Sequence, residues 1–489
     1  MNIRYLLPAT LLFFLFLGGC AVNPVSGKQD LVLLSEQDEI ALGRQTNQEV
    51  LKEYSVYDEN PALQKYVQEV GNKLAANSHR SNLIYRFTVL DSKEVNAFAL
   101  PGGYIYITRG LLAYLKSEAE LAAVLGHEIG HVTARHSVRQ YSATQLANIG
   151  ITLGAIFIPG MNQATNQLAQ MFGAALLRGY GREHELEADR LGAEYLARTN
   201  YNPNAMLDVI GVLKDQEVFE TEVAKTEGRE PRIYHGVFAT HPDNDTRLQE
   251  VVQTAQTLTT QGKINYVGYE EYMSLMDGLI YEDSPHEGIL RGHKFFHEEL
   301  GFAMSFPKNW SVRNQPDRIL LTSPGGGALI QINAEDINKK ISPRDFMIQR
   351  LGLSNLTDES AIKINGLDAH TGISVINTSA GQRPVRFTVI YLEQRAYIIA
   401  GMTENPNELS KYDNEITKTA RSFHALTENE KVLAKPLRLK VVQAQPDTRF
   451  SILASQSPIE VNAESKLRLL NARYPDGEPQ SGELLKIVQ

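Results

Sequence analysis

The sequence predicts a multidomain chain: a mainly α-helical region with a small β-sheet, then an α+β layer, then a small α/β module. Three observations carry this. Up to about residue 285 apolar residues recur chiefly at helical spacing, from 293 to 426 they fall in short alternating runs joined by turns, and from 435 to 489 two strand-like runs flank a helix-like one. The proposed divisions are 1–19, 20–285, 293–426 and 435–489. With 489 residues and a hydrophobic content of 43%, the chain can bury large cores, so its single cysteine implies no disulfide staple. A net charge of -9 argues against nucleic acid as a partner.

Arg4, the apolar run Leu11 to Leu17 and the small residues Gly18 and Gly19 describe a secretory signal peptide, shorter than the ~20 apolar residues of a bilayer span. The lone Cys20 after Leu17-Gly18-Gly19 resembles the bacterial lipoprotein box, which implies lipidation of Cys20 as the mature N-terminus. Ala21, where an Asp would signal retention, implies the outer rather than the inner membrane.

Ser35 to Tyr54 and Pro61 to Ala76 read as amphipathic helices, the first with a cap, and Ile84 to Val89 alternates as a strand. Val95 to Gly103 followed by Tyr104 to Ile107 reads as strand, Pro-Gly-Gly turn and strand. Ser117 and Glu120 form a capping-box pair ahead of a stripe of Leu121, Val124, Leu125 and Ile129.

On that helix lies His127-Glu128-Ile129-Gly130-His131, an H-E-x-x-H sequence. Histidines four apart share a helical face, so both imidazoles reach one metal ion while Glu128 stands beside them. Gly126 and Gly130 each weaken the helix by up to ~1 kcal/mol, which is understandable if other backbone comes close or a metal offsets the loss. A catalytic zinc needs a third protein ligand and an open position. Arg182 to Asp189 opens a further helix rich in carboxylates: Glu185 and Asp189 share a face at i, i+4 and Glu187 points away, although an exposed acidic face would also explain the run. Ile149 to Met161, between the two motifs, is an apolar stretch too short to span, and reads as a loop over the site, a membrane-touching segment or a buried helix.

H-E-x-x-H followed by Glu185-x-x-Ala188-Asp189 resembles the zinc metallopeptidase family of HtpX and the CAAX prenyl endopeptidases, in its BepA-like periplasmic lipoprotein branch. The resemblance implies a gluzincin fold and one zinc per chain held by His127, His131 and Glu185, with Asp189 orienting a ligand histidine. It likens Asn96-Ala97-Phe98-Ala99 to an edge strand on which an extended peptide pairs by its backbone. Thr240-His241-Pro242 with Arg247 matches a further family pattern and implies that His241 approaches the zinc, either stabilising the oxyanion or closing the open position. His136, His184 and His235 are read as structural. Such a zinc would lower the pKa of its water towards about 7, and Glu128 would act as general base and then acid. No G-x-S-x-G elbow offers a serine alternative, nor is a cysteine near the site.

Tyr281 to Gly292 reads as a charged Pro- and Gly-containing linker. Beyond it, strands are expected at Phe302 to Phe306, Ala328 to Ile332, Val385 to Leu392 and Ala396 to Met402, with helices at Pro343 to Leu351 and Glu408 to Phe423. Gly301 to Trp310 resembles a PsbP/Mog1-like domain, and no catalytic constellation is visible there. The C-terminal strand, Asp447-Thr448 turn, Leu467-x-x-Leu470-Asn471 helix and Gly482 to Val488 end resemble a LysM-like module, with Pro446 where a glycine usually precedes the Asp-Thr; peptidoglycan is the implied partner, a plain interaction module the alternative.

The expected protein is an outer-membrane-anchored periplasmic zinc metalloendopeptidase acting on misfolded or stalled envelope proteins. The alternative is a chaperone-like or cell-wall-binding scaffold lipoprotein whose zinc site is mostly closed.

Overall fold

A computed structural model describes residues 20–149, 180–228, 231, 251, 257, 266–337, 341–378 and 381–489. The expected signal peptide, His235, the Thr240 to Arg247 pattern with His241, and the stretch after Ile149 lie outside the described residues. Whereas the sequence reading divides the chain at 285, 293, 426 and 435, the compact units divide at 281/282 and 436/437: residues up to Tyr281 join Leu437–Gln489 in one unit, and Glu282–Pro436 form the other.

In the first unit the N-terminal strands β1 (Cys20–Val22) and β2 (Gln29–Leu31) pair antiparallel. Helix α1 (Glu36–Glu53) is capped by Ser35, whose hydroxyl accepts from the Asp38 N–H, and α2 (Pro61–Ala75) by Asn60, with proline in its first turn. The buried face of α2, Leu63, Val67, Val70 and Leu74, has the expected spacing and enters the main core. Strand β3 (Arg86–Leu90) pairs parallel with β5 (Tyr104–Thr108), and β4 (Ala97–Leu100) pairs antiparallel with the other side of β5, so β4 is a sheet edge.

After the short α3 (Arg109–Tyr114), helix α4 (Glu118–Thr133) runs through the centre of the unit with every residue buried. It starts at Ser117, whose side chain accepts from the Glu120 N–H. The reciprocal half of the expected capping box is displaced by one residue, since the Glu120 carboxylate accepts from the Lys116 N–H at 2.7 Å. Helix α5 (His136–Ile149) follows after a turn in which Arg135 takes φ +56°, and α6 (Arg182–Arg198) packs along α4. Helices α7 (Ala205–Glu227) and α8 (Tyr269–Met276) follow among the described residues.

Leu437–Gln443 pairs antiparallel with both Leu484–Val488 and Ile280–Tyr281, and helices Phe450–Ser455 and Ala463–Leu470 lie between the two C-terminal strands in sequence. Leu439, Phe450, Leu467, Leu470 and Leu485 belong to the same core as α4. The region read as a free module thus shares the core of the region read as the peptidase.

The second unit contains a seven-stranded antiparallel sheet in the order Ser311–Gln315, Arg318–Thr322, Ala328–Asp336, Arg395–Thr403, Gly381–Leu392, Leu367–Thr378, Thr357–Ile364. Helices Pro343–Gln349 and Leu409–Arg421 pack on it, each against a different buried cluster. The expected linker is corrected at both ends: Tyr281 lies in a strand, and Ile289–Arg291 forms a hairpin with Lys294–His297. Short strands with few apolar residues carry too little periodicity to be told from a linker. Among the described residues no helix is long and apolar enough to cross a membrane.

Candidate metal centre

The site is assembled where α4 and α6 approach with almost no side chain between them. A Cβ added to Gly130 would lie 2.9 Å from the Ala188 carbonyl oxygen, one at Gly192 would lie 3.0 Å from the His127 nitrogen, and one at Gly126 would lie 3.3 Å from the Gly192 Cα. The weakened helix propensity at Gly126 and Gly130 therefore has a packing reason: glycine lets the two backbones close until residues of both helices meet at one point.

That point is occupied by His127, His131 and Glu185, all buried. The Nε2 atoms of the two histidines are 2.9 Å apart, and the Glu185 carboxylate oxygens lie 3.5 Å from His127 Nε2 and 3.7 Å from His131 Nε2. Donor atoms at the corners of a tetrahedron with arms of about 2.0–2.1 Å are separated by roughly 3.3 Å. Two imidazoles and a carboxylate at these separations, all within 4.8 Å of one another, fit a divalent cation in spacing and in chemistry.

Asp189 accepts a hydrogen bond from His127 Nδ1 at 2.8 Å and is fully buried, which leaves Nε2 as the acceptor turned towards Glu185 and His131. Burial pulls the His127 imidazole down, but Asp189 and Glu185 outweigh it and lift the group to about 10. The surroundings are thus arranged to stabilise positive charge at this spot. Glu128, also buried, is pushed up to about 8 by burial and by the Glu185 carboxylate, against the pull of His127. A divalent cation beside it would draw that value back down.

Of the histidines read as structural, His136 touches a candidate ligand. His136 Nδ1 lies 2.8 Å from His131 Nδ1, and His136 Nε2 lies 3.1 Å from Glu187 Oε2. Glu187, read as pointing away, also accepts from Arg139 Nη1 at 2.8 Å, and its hydrogen bonds to His136 and Arg139 hold it down at about 2 despite burial. His184 stacks on His136 with ring centroids 4.3 Å apart, and Tyr180 stacks on His131 at 4.1 Å. Sequence spacing showed none of these partners, because each pairing joins groups from different segments of the chain.

Of the proposed substrate strand, Ala97, Phe98 and Ala99 lie in edge strand β4, on which α4 packs. Ala97 and Ala99 are buried, and the Phe98 ring stacks on Tyr106 at 4.8 Å. Asn96 is tied to Thr108 through its backbone, donating to Oγ1 at 3.1 Å and accepting from the Thr108 N–H at 3.0 Å.

Residues 61–255 match the model of peptidase family M48. The chain is 30% identical over 214 residues to a β-barrel assembly-enhancing protease of Yersinia pestis, covering 42% of this chain and 40% of that protein. It is 31% identical over 184 residues to the mitochondrial metalloendopeptidase OMA1 of Schizosaccharomyces pombe, covering 37% of this chain and 54% of the relative. The chain therefore spans about two fifths to one half of these curated relatives. A solved cyanobacterial PsbP from Synechocystis aligns at 13% identity and a TM-score of 0.22, covering 28% of this chain and 95% of that one.

Proposed function

We infer that this chain, whose residues 61–255 belong to peptidase family M48, is a zinc metalloendopeptidase of the bacterial cell envelope. The observation that carries the reading is the convergence of His127, His131 and Glu185 on one point, with Glu128 next to it and Asp189 behind it.

Both ring nitrogens and the carboxylate belong to the ligand set that suits zinc, with His127, His131 and Glu185 as the protein's contribution. Zinc, when bound, supplies Lewis acidity that makes a water acidic and a peptide carbonyl electrophilic. Glu128 takes the proton from the attacking water and returns it to the leaving amine. A carboxylate raised by burial towards neutral pH is suited to both transfers. Asp189 holds His127 in the tautomer that presents Nε2. The edge of β4 offers backbone groups to an extended peptide, which favours unfolded segments over folded ones.

Placement in the periplasm, with a lipid on Cys20 and the outer membrane as the anchor, rests on the lipoprotein-box resemblance. Misfolded or stalled envelope proteins are the proposed substrates; the similarity to the Yersinia β-barrel assembly-enhancing protease supports this. The strand-helix-helix-strand order of residues 437–489 supports a LysM-like module, and peptidoglycan is the partner proposed for it.

The decisive test is digestion of casein or a denatured outer-membrane protein by the purified chain with zinc, with a chelator, and as Glu128→Gln. Cleavage should require zinc and fall at least ~100-fold in Glu128→Gln with the metal retained, the lower range for losing a general acid-base group. Metal binding without turnover in the unsubstituted chain would favour the scaffold reading instead.

A further inference from the structure

A ligand imidazole has two ring nitrogens, and the one turned away from the metal needs an acceptor to fix its tautomer and rotation. For His127 the acceptor is the Asp189 carboxylate. For His131 it is a second imidazole. With Nε2 turned to the cation site, His131 carries its hydrogen on Nδ1 and donates across 2.8 Å to His136 Nδ1. His136 then has its hydrogen on Nε2 and donates to Glu187 Oε2 at 3.1 Å. Glu187 accepts in addition from Arg139 Nη1 at 2.8 Å, and Arg139 Nε is 3.5 Å from Asp30 Oδ2.

Only one set of hydrogen positions satisfies this chain once His131 Nε2 is committed, because a neutral imidazole has one donor and one acceptor. His136 is fully buried, so no water competes for its nitrogens, whereas the Glu187 side chain is 19% exposed at the outer end. His184 stacked on one face of the His136 ring limits its rotation. We propose that His136 and Glu187 act as a positioning relay for His131, setting the affinity and the ligand geometry of the cation held by His127, His131 and Glu185, with Arg139 fixing the outer end. The relay rests on the metal-site reading given above. Because a neutral imidazole accepts less strongly than a carboxylate, the two ligand histidines are unequal: Asp189 makes His127 the more basic donor, and the relay leaves His131 the weaker and more adjustable one.

The test is cobalt(II) binding to the full chain, read by competition with a chromogenic chelator and by the visible absorption of the bound ion, which reports ligand geometry without turnover. His136→Leu should weaken binding ~10- to 100-fold, the range for losing an outer partner of a ligand, and should alter the cobalt spectrum. His136→Asn places an amide oxygen near the lost Nδ1 and should recover most of the affinity, which a purely space-filling role would not explain. Wild-type affinity and spectrum in His136→Leu would overturn the relay. Should His136→Leu lose helix content by circular dichroism, Glu187→Leu at the outer end serves in its place: weaker binding is expected, and unchanged binding overturns the proposal. His127→Ala/His131→Ala is the separate control, since undiminished cobalt binding there overturns the metal-site reading itself.

Discussion

Glu128 stands beside the candidate ligands without being one of them, and burial is the main influence on its charge. Its substitution by Gln therefore separates chemistry from metal binding, as the digestion experiment requires. His241 offers a second residue-scale prediction. Proline after it restricts the backbone of the histidine, and the resemblance noted for Thr240-His241-Pro242 implies that such a histidine approaches the metal. If it closes the open position, His241→Ala should raise the rate of casein cleavage; if it stabilises an oxyanion, the same change should lower kcat by roughly 10²-fold. An unchanged rate would remove it from the site. Much of the residue-level arrangement was legible, and the limit is physical. His127 and His131 announce themselves because helical periodicity places residues four apart on one face, and that holds wherever the helix goes. Glu185 could be selected from its acidic neighbours only through a family resemblance. The contact of His136 with both His131 and Glu187 depends on how α5 and α6 are docked, which no local spacing encodes.

Between elements, the crossing of α4 and α6 governs the centre. Gly192 brings its Cα to within 3.3 Å of where a Gly126 Cβ would stand, and its own absent side chain leaves room for the His127 backbone. Gly192→Val should force the helices apart, costing about 1–3 kcal/mol as overpacking and moving Glu185 and Asp189 away from the histidines. Chelator competition on the folded variant should then show weaker binding of a divalent cation, in step with a lower unfolding midpoint; unchanged affinity would mean that the crossing tolerates separation. The sequence hinted at this contact through Gly126 and Gly130, but not at Gly192 as their partner. In the second unit the central strands Ala328–Asp336, Gly381–Leu392 and Arg395–Thr403 contain the expected apolar runs. The edge strands Ser311–Gln315 and Thr357–Ile364 went unrecognised, because exposed edges carry polar and charged residues and so lose the alternation that marks a strand.

At the scale of the whole chain, membrane attachment and the joining of the two termini of the first unit each give an expectation. Cys20→Ser should move the protein out of the membrane fraction if a lipid on Cys20 holds it there, and a protein that stays membrane-bound after the change would require another anchor. The second expectation concerns Lys486, in the C-terminal strand Leu484–Val488. It is fully buried and donates to the carbonyls of Ala113 and Leu115 at the C-terminal end of α3. Helix-end carbonyls lack helical partners, so a cation there is stabilised by otherwise unused acceptors. Burial nevertheless outweighs Glu120 and draws the ammonium down to about 7, whereas an unfolded lysine titrates near ~10.4. Between these values the unfolded chain holds a proton that the folded chain has released, so unfolding takes up a proton and the stability contributed by this group rises with pH. Below about 7 both states are protonated and the dependence flattens. Lys486→Met removes the titration while keeping the length of the side chain. Denaturant midpoints taken at pH 6, 8 and 9.5 should therefore show wild type gaining on Lys486→Met as pH increases, most of the gain coming above pH 7, and a difference that stays constant across the series would show that Lys486 keeps its proton in the folded chain.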